Sequence, residues 1–217
     1  MMMTYPIRCF SMPVKQNNFS LFCAAPFNYC PWCDVKGIQE GDTLLFDMDG
    51  TLINTDRCNT EAYKNAVARV LGKNCVSSLT IERIDRDVLR RELPDVAEEQ
   101  LQEIIALKEE YYTTCLVNAR VISSTMSILN HFRLSHKVIL VTNARMRRTM
   151  QTLCYLHLEQ YFDAIITKDD DVYGNKYLTA MRMCGLDPQC VWVFENELQQ
   201  VNAAVAAGID ANHIFLR

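Results

Sequence analysis

Thr43-Leu44-Leu45-Phe46-Asp47-Met48-Asp49-Gly50-Thr51-Leu52 is the stretch on which the reading of this chain turns. Thr43 to Asp47 is a short apolar run of the kind that forms a buried strand. It runs out into two carboxylates two positions apart and a Gly-Thr turn. Acids placed this way can face one cleft, where one attacks as a nucleophile and the other passes a proton. Gly50 permits a turn that a side chain would hinder. The competing reading is a surface turn or a calcium loop. A calcium loop of the EF-hand kind continues its oxygen ligands at alternate positions and closes on a Glu, and Leu52 and Ile53 break that pattern.

Downstream, residues 59 to about 120 read as helix only. Asn59 or Thr60 can cap a first helix whose apolar positions Ala62, Tyr63, Ala66, Val67 and Val70 recur at helical spacing, with Gly72 ending it. Thr80 can cap a second helix that stops at Leu93, before Pro94, and a third runs from about Val96 to Cys115. From Ser123 helix and strand alternate. Strands are expected at Lys137–Thr142, Asp163–Thr167, Cys190–Phe194 and His213–Leu216. Helices are expected near Ser124–Phe132, Arg147–Leu156, Tyr177–Cys184 and Leu198–Ala207. Val-Ile-Leu-Val and Val-Trp-Val-Phe are continuous apolar runs, as in strands covered on both faces. The alternation implies an α/β fold, a doubly wound parallel sheet carrying an inserted all-helical cap. The expected division is an extension over 1–42, a core of 43–57 and 121–217, and a cap of 58–120. Ligands of such sheets bind at the carboxyl ends of the strands, so the functional residues should lie there.

The bulk properties narrow the field. The chain has 217 residues, 49% hydrophobic and 22% charged, with a net charge of −4. That composition suits a packed globular protein, and the net acidity argues against nucleic acid as a partner. No apolar run is long enough to span a bilayer. Phe19–Phe27, broken by Ser20 and Pro26, makes a poor leader peptide, so a cytoplasmic protein without a membrane partner is expected. Of ten cysteines, Cys58, Cys75, Cys115, Cys154, Cys184 and Cys190 fall in helix and strand patterns and are expected to be buried free thiols. Cys30 and Cys33 have the spacing of half a zinc site or a redox pair. A second pair at a standard spacing is missing, which favours ordinary cysteines.

Phe-Asp47-Met-Asp49-Gly-Thr-Leu resembles the first motif of the haloacid dehalogenase superfamily, and the resemblance extends from about Thr43 to Arg217. It implies the family's phosphoglycolate phosphatase and beta-phosphoglucomutase-like branch, with a small helical cap after the first strand. Asp47 is then the nucleophile and Asp49 the general acid/base, whose presence points to phosphoester chemistry. Val141-Thr142-Asn143 resembles the second motif, in which the hydroxyl of Thr142 holds a phosphoryl oxygen. Gly50, Thr51 and Asn143 are expected to meet the substrate. Asp170 to Leu178 resembles the run that leads to the third-motif lysine, here Lys176, with Lys168 as the alternative. Val193-Phe-Glu195-Asn196-Glu197 resembles the fourth motif, but Asn196 stands where the family commonly has a second acid. The implied cofactor is Mg2+, held by Asp47, the Asp49 carbonyl, Glu195 and Asn196, with Glu197 the other acid in reach. The implied activity is hydrolysis of a small phosphorylated metabolite through an aspartyl-phosphate. The alternatives are a phosphosugar mutase and a catalytically weakened binding protein. Arg86, Arg90, Arg91 and Arg145 are read as solvated rather than as substrate contacts.

Overall fold

The computed structural model describes residues 35, 37–76, 83–84 and 86–217. Its strands in chain order are β1 (Thr43–Phe46), β2 (Ile53–Asn54), β3 (Arg120–Val121), β4 (Lys137–Val141), β5 (Ala164–Ile166), β6 (Val191–Glu195) and β7 (Ile214–Leu216). Five of them form one parallel sheet in the order β5-β4-β1-β6-β7, which puts β1 at the centre. Phe46 is in register with Leu140 on one side and Phe194 on the other. The helices are α1 (Asp56–Leu71), α2 (Lys73–Val76), α3 (Arg86–Glu92), α4 (Glu98–Cys115), α5 (Ser123–Phe132), α6 (Met146–Leu156), α7 (Lys176–Cys184) and α8 (Leu198–Ala206).

The continuous apolar strands follow from burial on both faces. Alternate side chains of a strand point to opposite sides. Leu44, Phe46, Val138, Leu140, Trp192 and Phe194 pack with Leu129 and Phe132 of α5 and Leu153 of α6. Leu45, Ile139, Val141, Val191 and Val193 pack with Tyr177, Ala180 and Met181 of α7 and Ala204 of α8. The α/β fold with helices on both faces of a parallel sheet is the one the sequence pattern implies.

Between β2 and β3 lies the helical insertion, with its own cluster of Tyr63, Ala66, Val67, Ile84, Leu89, Leu101 and Ile104. The antiparallel β2–β3 ribbon at its base was not expected from sequence, because two-residue strands carry no readable period. Helix α1 begins at Asp56, ahead of the expected caps Asn59 and Thr60. Thr55 holds the N-cap position, but its hydroxyl donates to Asp49 instead of capping the helix. The expected cap Thr80 lies outside the described residues, as do Cys30 and Cys33.

The described end of the 1–42 extension is packed against the core. Val35 is buried in the core, the indole N–H of Trp192 donates to Asp42 Oδ2 at 2.7 Å, and Gly37 is pressed against the Trp192 ring. Cys154 and Cys190 are exposed, so the buried-thiol reading holds only in part. Among the described residues no helix is long and apolar enough to cross a membrane.

The central strand is fully covered, so truncation there leaves a cavity. Leu45→Ala is expected to cost about 2–5 kcal/mol in equilibrium urea unfolding. A cost below about 1 kcal/mol would contradict the two-sided burial of β1.

Candidate active site

The carboxyl ends of β1, β4 and β6 converge. Asp47 extends β1 by one residue, its backbone N–H donating to the Phe194 carbonyl at 3.0 Å, which sets it beside the end of β6. The chain then folds back. The amides of Leu52 and Ile53 donate to the Met48 carbonyl, and that of Gly50 to the Ile53 carbonyl. Gly50 has φ +82°, and a Cβ there would stand 2.3 Å from the Asn196 side chain, so both conformation and space require glycine.

Lys176 sits between two carboxylates. Its Nζ donates to Asp47 Oδ1 at 2.7 Å and to Glu195 Oε2 at 2.9 Å, and all three side chains are nearly inaccessible to water. It opens α7, whose N-cap Asn175 accepts from the amides of Tyr177 and Leu178. The loop before it is fixed by Asp171, which accepts from the Asn175 amide and the Thr179 hydroxyl. Tyr177 donates its hydroxyl to Glu195 Oε2. Of the two candidate lysines the structure brings only Lys176 to Asp47. Lys168 is half-exposed and pairs with Asp171.

Burial pushes the Asp47 carboxyl up to about 7, against the pull of Lys176 and with Glu195 and Asp49 adding to the rise. One ammonium does not balance two buried carboxylates. Lys176 is held above its ordinary value by Asp47 and Glu195, although burial alone would lower it.

Thr142 is buried at the end of β4, its Oγ1 accepting from the Ala144 amide at 3.1 Å, while Asn143 is exposed and lines the cavity. Thr51 is buried with its hydroxyl turned to Asn196, so it supports that residue and does not face the cavity. Glu197 is turned away as well, pairing with Arg83 at 2.9 Å. Arg90 and Arg91 lie on the solvated face, paired with Glu98 and Glu92, but Arg86 and Arg145 line the cavity.

The surroundings of Asn196 suit a cation. Its inner amide position lies 3.1 Å from the Asp49 carbonyl, 3.1 Å from Thr51 Oγ1 and 3.2 Å from Glu195 Oε1, all oxygens. An amide nitrogen there has acceptors on every side, and half a turn of the amide presents its oxygen to the same group. Oxygens about 3 Å apart match the edge of a Mg2+ octahedron with bonds of about 2.1 Å. Among the described residues no cluster of three His, Cys, Asp or Glu side chains exists to hold a metal. A cation here would be held by Asp47, the Asp49 carbonyl and the Asn196 amide, beside Glu195, whose two oxygens already accept from Lys176, Tyr177 and the amides of Asn196 and Glu197. Mg2+ keeps several waters and needs only one or two carboxylates, so this set fits it, with less charge than a second acid would give.

Several groups here were not read from the sequence. Asp49 accepts from Thr55 through Oδ1 and from Arg148 through Oδ2. Arg148 also donates to Asn59 Oδ1 at 3.1 Å. Lys108, buried on α4, stands over the Tyr112 ring. The signal available for Arg148 was its place in the first turn of the helix that follows the Thr142 strand end.

The raised Asp47 predicts a trade of stability for function. Folding holds its carboxyl near 7 against an ordinary 3.8. The chain therefore loses stability as pH rises through that interval, and the penalty is complete above it. In metal-free buffer Asp47→Asn should unfold a few degrees higher than the native chain at pH 8, with little difference at pH 4. A lower melting temperature for the variant at pH 8 would contradict the assignment.

Residues 44–214 match the family model described as haloacid dehalogenase-like hydrolase. A phosphorylated carbohydrates phosphatase of Thermotoga maritima is 28% identical over 181 residues, covering 78% of this chain and 82% of that one. Among solved structures, CbbY from Rhodobacter sphaeroides in complex with phosphate superposes with a TM-score of 0.62 at 19% identity, covering 77% and 83% of the two chains. A haloacid dehalogenase hydrolase of family IA, variant 3, from Entamoeba histolytica gives 0.61 at 22% identity, covering 77% and 81%. With four-fifths of its length matched and a carboxylate pair at the end of the central strand, the chain belongs to the haloacid dehalogenase-like hydrolase family.

Proposed function

We propose that the chain is a Mg2+-dependent phosphatase of a small phosphorylated metabolite, working through a phosphoryl group carried on Asp47. The observation that carries this is the Lys176 bridge between Asp47 and Glu195, with Asp49 two residues further along the same turn. The substrate class is supported by the cavity beside Asp49. It measures about 860 Å3 and is lined by seven basic against four acidic side chains, a local positive excess in a net acidic protein. The related Thermotoga maritima phosphatase makes phosphorylated carbohydrates the first substrates to try.

In this reading an Asp47 carboxylate oxygen attacks phosphorus as the ester P–O bond breaks, and Asp49 gives its proton to the departing alkoxide. Water then attacks the same phosphorus, Asp49 takes its proton, and the P–O bond to Asp47 breaks to release phosphate. Lys176 holds Asp47 in place and offsets its charge as the anionic phosphate approaches. Thr142, at the neighbouring strand end, offers a hydroxyl to a phosphoryl oxygen, and Asn143 and Gly50 shape the entrance and the turn. Mg2+, when bound, supplies the positive charge that Lys176 alone does not. Catalysis of this kind rests on positioning and charge stabilisation. The helical insertion is tied to the core beside the cavity, where Tyr112 of α4 is bonded to Thr152 of α6 at 3.1 Å.

Phosphate release from a panel of sugar phosphates and other phosphomonoesters, with and without Mg2+, tests the proposal. Turnover should require Mg2+ and vanish in Asp47→Asn. Lys176→Ala should lose about 100-fold or more, and Lys168→Ala should stay within about threefold of native. Asn196→Asp should lower the Mg2+ concentration needed for half-maximal rate. Full activity in Asp47→Asn would end the nucleophile reading. Turnover confined to Asn196→Asp would make the native chain a binding protein on an intact scaffold. Return of the phosphoryl group to a sugar without net release would make it a mutase.

A further inference from the structure

Glu195 carries a full set of donors. Its Oε2 accepts from Lys176 Nζ at 2.9 Å and from the Tyr177 hydroxyl, and its Oε1 from the amides of Asn196 at 3.0 Å and Glu197 at 3.3 Å. A carboxylate offers about four lone-pair sites, so none is left over. These donors differ in what fixes them. The two amides belong to the turn between β6 and α8. The Lys176 ammonium is shared with Asp47 Oδ1, 2.7 Å away. The Tyr177 hydroxyl comes from a side chain with no other polar task.

The Tyr177 ring is held by apolar packing. It is closed to solvent and lies in the core cluster with Leu45, Val141 and Val193 of the sheet and Met181 of α7. Its backbone amide donates to Asn175 Oδ1 at 3.0 Å, which fixes the start of the helix that carries it. Lys176 Nζ lies 5.0 Å from the centre of the ring. A phenylalanine would fill the same apolar space, so the hydroxyl is what tyrosine adds here. Two carboxylates compete for one ammonium, and a donor that satisfies Glu195 weakens its claim on Lys176.

We propose that Tyr177 is a positioning residue that satisfies Glu195 and so leaves the Lys176 ammonium on Asp47. This rests on the phosphatase reading of Asp47 and Lys176. Without the hydroxyl a lone pair of Glu195 Oε2 opens, Lys176 shifts toward it, and Asp47 keeps more of its negative charge. The consequences have opposite signs. Attack of Asp47 on an anionic phosphate slows, while a divalent cation beside Asp47 binds more tightly. A hydroxyl that served packing alone would, when removed, loosen the cluster and weaken both.

Calorimetric titration with MgCl2 and steady-state phosphate release from a phosphorylated sugar test this in the native chain, Tyr177→Phe, Glu195→Gln and the double variant. Tyr177→Phe should bind Mg2+ about threefold more tightly, while kcat falls about tenfold, the scale of one hydrogen bond to a charged group. KM for the sugar phosphate should stay within about twofold, because the hydroxyl acts on the nucleophile and not on substrate binding. In the Glu195→Gln background, adding Tyr177→Phe should change neither quantity by more than about twofold, since the charge it answers is gone. Unchanged or weaker Mg2+ binding by Tyr177→Phe with native circular dichroism overturns the inference. The same effects in both backgrounds overturn it too, as does an absence of Mg2+ binding by every chain. Failure of the phosphatase reading shows separately, as a native chain that binds Mg2+ and releases no phosphate, and the calorimetric ratio then still decides the role of Tyr177.

Discussion

Two buried carboxylates sharing one ammonium set the terms for the rest of the molecule. Asp47 and Glu195 both lean on Lys176, and the cluster keeps a net negative charge where solvent cannot reach it. Burial raises Asp47 to about 7 against the pull of Lys176, with the Glu195 charge adding to the rise. A packed protein holds such an arrangement only if its surroundings are rigid. Here β1 is clamped between β4 and β6, α7 is capped by Asn175, and Tyr177 is bonded to Glu195. The strain is useful, because a cation or an incoming phosphoryl group changes the charge balance at Asp47. Sites of this kind are less stable than an apolar replacement and more reactive for it.

The parallel sheet explains why these groups meet. Each chemical residue follows a strand that ends at the same edge: Asp47 after β1, Thr142 after β4, Asn196 after β6. Because every strand is covered on both faces, a slip of register would move a large apolar set out of the core. Core packing therefore also fixes the site. The helical insertion closes over this edge through Tyr112–Thr152, Asn59–Arg148 and Arg83–Glu197. The last two are polar contacts that a ligand can exchange for its own.

Much of this was legible in the sequence, for a definite reason. Continuous apolar runs separated by helical periods leave few arrangements, and Asp47-Met-Asp49-Gly50 at the end of the first run locates the cleft. What was not legible depends on side chains meeting across distant segments. Arg148 lies 99 positions from Asp49, and in the sequence it is one more basic residue on a helix. Thr55 was missed because it sits at a helix start, where a cap is the expected use. It spends its hydroxyl on Asp49 instead. The choice between Lys176 and Lys168 turned on loop geometry fixed by Asp171. Thr51 and Glu197 read as site residues by proximity in sequence, yet each is turned to a different partner.

The most direct test of the account is to look for the phosphoryl group on Asp47. The native chain would be mixed with Mg2+ and a phosphorylated sugar, quenched in acid within milliseconds, digested and analysed by mass spectrometry. The account predicts a phosphoryl adduct on the peptide carrying Asp47, absent from Asp47→Asn and lost on exposure to hydroxylamine. Phosphate release with no adduct on that peptide at any quench time, or an adduct on another residue, would contradict it.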